Sequence, residues 1–125
     1  MNKTPDNDYI QAFMTKRTPN FSRAALVIVD MQYATGHRDG ALGRRLAAEG
    51  SNVAGYRFDR IETMVVPNIK LLLSRFRGAN GAVIYLTIGA NKADCSDAPP
   101  HMISMFQALK NFEGNQEHEI VDELK

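Results

Sequence analysis

The residue best placed to do chemistry is Asp30. It follows the apolar run Ala24-Ala25-Leu26-Val27-Ile28-Val29 without a break and leads into Met31-Gln32. A carboxylate buried there without a partner would be costly. At the carboxyl end of a parallel strand it instead faces the crevice where open α/β sheets bind ligands. Cys95 is the sole thiol. To be a nucleophile it would need a cation or helix terminus that favours the thiolate, and Lys92 is near only in sequence, so Cys95 reads as structural. His37 and Asp39 are spaced to reach a common substrate or metal, and Asp94, Asp97 and His101 form a second polar group. Neither has the pattern of a metal-ligand set, so no metal is expected. His118, in a charged stretch, reads as solvated. With no phosphate-cradling or dinucleotide motif, no cofactor is expected.

The elements that must position Asp30 are legible around it. The run from Ala24 to Val29 predicts a strand whose continuous hydrophobicity fits a sheet covered on both faces. Residues 31–58 are broken by Gly36, Gly40, Gly43, Gly50 and Gly55, leaving room for a short helix over Ala41–Glu49. This stretch reads either as a functional loop or as a surface excursion. Asp59 predicts the start of the clearest helix, capped by its carboxylate with Glu62 in capping-box spacing. Ile61, Val65, Ile69, Leu72 and Phe76 are its expected packing face. Pro67 must bend that helix or begin its main segment, and Gly78-Ala79-Asn80-Gly81 must end it. Ala82–Ile88 predicts a second strand, completing a βαβ unit. Asn91–Pro100 then reads as a polar loop and Ile103–Phe112 as a helix. Gly114–Lys125 reads as a charged tail with Ile120, Val121 and Leu124 available for docking. Ahead of all this, residues 1–8 read as a tail and Tyr9–Met14 as a short helix.

Bulk properties narrow the function classes. The 125 residues suffice for one ordinary domain. At 44% hydrophobic, 23% charged and a net charge of +1, the chain supports a core and carries no electrostatic footprint for nucleic acid. The densest basic group, Arg38 with Arg44-Arg45, reads as solvated surface. A single cysteine gives no intrachain disulfide and favours a reducing compartment. No run is long enough to cross a bilayer, and the polar amino terminus lacks a signal-peptide core. The expectation is a cytoplasmic protein with no nucleic-acid or membrane partner.

The series Ala25-Leu26-Val27-Ile28-Val29-Asp30-Met31-Gln32, then Val66-Pro67-Asn68-Ile69-Lys70-Leu71-Leu72, then Gly81-Ala82-Val83-Ile84-Tyr85-Leu86-Thr87 resembles the isochorismatase-like cysteine hydrolases. Glu119-Ile120-Val121-Asp122-Glu123-Leu124 resembles the stretch before that family's third core strand. The resemblance covers residues 24–125, with 31–58 poorly matched. It implies a helix-covered parallel sheet and thiol-mediated hydrolysis of a small-molecule amide or related substrate, with Asp, Lys and Cys as catalytic residues. Asp30 matches the first. The family's Lys follows the third strand and its Cys lies later, so Lys125 comes too early and Cys95 is misplaced. The nucleophile is therefore unassigned.

The expected organisation is a tail and short helix over 1–23, then an incomplete isochorismatase-like domain over 24–125. Its fold is expected to be α/β, a partial doubly wound parallel sheet with a βαβ core. Such a sheet calls for a homo-oligomer or a complementary chain. Two rivals stand beside the hydrolase reading: a noncatalytic interaction or scaffold subunit, and a truncated hydrolase fragment.

Overall fold

A computed structural model describes residues 13, 14, 18 and 20–125. The expected tail over 1–8 lies outside the described residues, as does most of the helix expected over Tyr9–Met14. Strand β1 (Ala25–Val29) and strand β2 (Ala82–Leu86) form a two-stranded parallel sheet, with Ala25 opposite Ala82 and Val29 opposite Leu86. The fold is mixed α/β with a βαβ arrangement. β2 ends at Leu86, short of the expected Ile88, because Ile88 turns its backbone toward a side chain instead of a third strand.

Between the strands lie a single turn α1 (Tyr33–Gly36), helix α2 (Ala41–Ala48), helix α3 (Gly55–Arg60), a π turn (Ile61–Val65) and helix α4 (Val66–Gly78). Two close approaches set the start of this region. A Cβ on Gly40 would stand 1.7 Å from the Tyr33 carbonyl oxygen, and one on Gly43 would stand 1.8 Å from that of Arg38. Only glycine fits either place.

The expected cap at Asp59 is wrong. The helix begins a turn earlier at Gly55, and Asp59 lies inside it, sharing Arg38 with Glu62. The expected packing face holds at Ile61 and Ile69 and is corrected at Val65 and Leu72. Across the π turn the Val66 N–H donates to the Ile61 carbonyl, five residues back. Pro67 has no N–H, and its ring would crowd the carbonyl four residues earlier in a regular helix; the wider turn relieves this. The extra residue rotates everything that follows. Val66, Ile69 and Leu73 face the core, while Val65 and Leu72 face out. The stop falls where the sequence places it. Asn80 takes φ +52°, its N–H bonds the Arg77 carbonyl, and Gly81 N–H bonds that of Phe76. These are the paired bonds of a Schellman ending.

The main core joins Ile28, Met31 and Leu73 to Val121 and Leu124, so the terminal docking residues are used as expected. A satellite core gathers Ala90, Cys95, Ala98 and Phe106 beneath helix α5 (Ile103–Leu109). α5 stops before the expected Phe112 because Lys110 turns into the left-handed region at φ +51°. The sheet departs from expectation on one side. Leu26, Ile28, Val83 and Tyr85 pack against α4 and the terminal residues. On the opposite face Val27, Val29, Ile84 and Leu86 are 47, 54, 45 and 48% exposed. Continuous apolar strands need cover on both faces, and among the described residues one face lacks it.

Candidate functional site

Asp30 stands at the carboxyl end of β1. Its N–H donates to the Leu86 carbonyl at 2.9 Å, extending the ladder one residue past Val29. The backbone then leaves strand geometry at φ +57°. Asp tolerates this region better than most residues, because its short polar side chain can bond locally. Here it makes no such bond: among the described residues no side chain pairs with the Asp30 carboxylate, which is exposed. Among the described residues no lysine or thiol pairs with it.

Two residues on, Gln32 is buried at 1% exposure and does the opposite. Its Oε1 accepts the Ile88 N–H at 2.8 Å, and its Nε2 donates to the Ile88 carbonyl at 3.0 Å and the His118 carbonyl at 2.8 Å. The side-chain amide acts as one more peptide in the ladder beyond β2. Asn111 Nδ2 also donates to the Ile88 carbonyl, and its Oδ1 lies 3.0 Å from His118 Nδ1. Gln32 Nε2 lies 3.2 Å from the same ring nitrogen, so two side-chain amides converge on it. His118 is thus half-buried in a structural knot, which corrects the expectation of a solvated residue. Gly89 completes it: a Cβ there would stand 2.4 Å from His118 Nδ1.

A second polar group lines a cleft of about 330 Å³ between the α1–α2 connection, the π turn and the terminal residues. The Asp39 N–H donates to His37 Nδ1 at 3.0 Å, leaving Nε2 to carry the proton 3.4 Å from Glu123. Tyr33 donates to Asp122 at 2.8 Å, and Lys125 pairs with the same carboxylate at 2.7 Å. The Asp122 bond, then burial, hold the Tyr33 hydroxyl above its ordinary range. Lys125, then Tyr33, hold Asp122 below the usual carboxylate range. Arg38 is engaged by Glu62 and Asp59, and its guanidinium lowers Glu62. The polar residues that line the cleft (His37, Arg38, Glu62 and Glu123) and those beside it (Tyr33, Asp59, Asp122 and Lys125) therefore bind one another. Asp30 does not line it.

The remaining sequence candidates fall apart in space. Asp97 ties the loop after β2 by accepting the Asn91 and Lys92 N–H groups at 3.0 and 3.1 Å. Asp94 accepts the Ser96 N–H at 3.0 Å, and His101 is exposed. Among the described residues no three His, Cys, Asp or Glu side chains group as metal ligands would. Cys95 is wholly buried, and burial, then Asp94 and Asp97, push its thiol up, away from the reactive thiolate. Of the basic group, Arg44 pairs with Glu117 at 2.5 Å and Arg45 with Glu49 at 3.0 Å. Glu117 also accepts the Ala41 N–H at 2.8 Å, capping α2 from 76 residues away.

No family model, curated protein or solved structure matches the chain. Sequence reading singled out Asp30 and passed over Gln32, Asn111 and Glu117, the buried polar residues that tie distant segments together. Gln32 alone left a local signal, as an amide set directly after an apolar strand where burial demands a partner.

Proposed function

We propose that this chain supplies the carboxylate of a composite cysteine-hydrolase site, acting on an amide or related small molecule. The observation that carries this reading is Asp30 itself: an exposed carboxylate, unpaired among the described residues, at the carboxyl end of a parallel strand and held by a left-handed backbone. Strain of this kind costs about 1–3 kcal/mol and clusters at functional sites. In the assembled site Asp30 accepts the proton of a thiol supplied from outside the described residues, with a lysine holding the pair. The thiolate attacks the substrate carbonyl, the amine leaves with a proton, and water releases the acyl group from sulfur. The open face of β1 and β2 is where the completing layer docks.

The rival is a noncatalytic interaction subunit, favoured by the inert environment of Cys95. One experiment separates the two. The chain is mixed with the carboxyl-terminal half of an isochorismatase-like hydrolase that carries the family's Lys and Cys, and assembly and amide hydrolysis are followed together. Turnover that needs both the added thiol and Asp30 supports the hydrolase reading. Assembly without turnover passes the protein to the rival, and turnover that persists in Asp30→Asn removes Asp30 from the chemistry.

A further inference from the structure

A groove of about 450 Å³ lies between α2, α3 and α5, away from Asp30. Its floor is apolar, formed chiefly by Leu42, Leu46, Met105 and Leu109. The volume falls within the range of small-molecule sites, about 300–1,000 Å³. Met105 is 45% exposed and unbranched, so it can adapt to what lies against it. The groove's charge is one-sided. Arg45 and Arg57 stand in its wall, and no Asp or Glu lines it. Arg57 has no hydrogen-bond or ion-pair partner among the described residues. Among the described residues Arg45 is held only by Glu49, in an exposed pair that a ligand can displace cheaply.

An apolar floor beside two guanidiniums fits one ligand chemistry. We propose that this groove binds a free small carboxylate with an apolar body, the hydrocarbon lying on Met105 and the leucines and the carboxylate bridging Arg45 and Arg57. A planar guanidinium matches a carboxylate with two parallel hydrogen bonds. The two arginines discriminate against the uncharged analogue of the same chain length, because only the carboxylate can answer their charge.

Octanoate and octanol serve as matched probes, read by the methyl resonances of protein carrying 13C-methyl methionine, with Met105 assigned through Met105→Leu. Octanoate is expected to move the Met105 methyl saturably while leaving that of Met31, in the main core, in place. Octanol is expected to bind more weakly. Arg45→Gln combined with Arg57→Gln is expected to weaken octanoate about tenfold and to change octanol by less than about twofold. Both arginines are exposed, and an unchanged unfolding midpoint certifies that the double variant is folded. The proposal is overturned if Met105 does not respond, if octanol binds as tightly as octanoate, or if the double variant keeps its octanoate affinity. It is also overturned if the Met105 resonance moves with protein concentration alone, which would assign the groove to a second copy of the chain.

Discussion

Asp30 and Gln32 sit two residues apart and answer opposite tests. Among the described residues no side chain hydrogen-bonds or ion-pairs with the exposed Asp30, so Asp30→Asn is expected to change folding stability by less than about 0.5 kcal/mol while abolishing turnover in the assembled site. Denaturant titration and activity on one preparation check both halves. Gln32→Ala removes the acceptor of the Ile88 N–H and a donor to the His118 carbonyl, while Asn111 still serves the Ile88 carbonyl; the groups left unpaired are expected to cost about 2–4 kcal/mol, measured the same way. Titration acts at the terminal turn. Asp122 sits below its ordinary pKa of 3.8, so it contributes stability above that pH and loses it as pH falls through its folded value. Tyr33 sits above 10.0, so its contribution is present below that pH and is lost as pH rises through its folded value. Amide exchange at Leu124 and Lys125 should therefore quicken at both extremes, and Asp122→Asn should remove the acid limb. The sequence made Asp30 visible because its signal is local. Gln32 bonds Ile88 and His118, 56 and 86 positions away, and only the fold brings them together.

At the scale of elements, the π turn decides which leucine is core. Leu73→Ala is expected to cost about 2–5 kcal/mol and its neighbour Leu72→Ala less than about 1; equal losses would place the helix in an uninterrupted register. The sequence announced β1, β2, the helix between them and its ending at Asn80-Gly81, because strand hydrophobicity, helical spacing and the glycine stop are each set within a few residues. It misplaced the packing face because regular periodicity assumes a constant turn, and Pro67 breaks that assumption from within. It misplaced the cap for a different reason. Asp59 and Glu62 have capping spacing, but Arg38, drawn near by the Gly40 and Gly43 approaches, offers both a stronger partner. The one-residue-local logic that finds a cap cannot see a cation 21 positions earlier.

The whole molecule is governed by the open sheet face. Burying each half-exposed side chain there is worth about 1 kcal/mol, and contiguous apolar surface of this kind marks an interaction site. The chain is expected to self-associate or to bind a completing chain. Val29→Lys or Ile84→Lys should return it to a folded monomer, as judged by light scattering with circular dichroism. A wild-type monomer that unfolds cooperatively at low concentration would reject this. The contacts of the terminal turns carry a different consequence. Tyr33 meets Asp122 across 89 positions, and Gln32 meets His118 across 86. A ribosome adds about 5–20 residues per second, so Gln32 emerges roughly 4–17 s before His118 can receive its amide. Through that interval the residues of β1 and α1 lack the contacts that the terminal turns later supply.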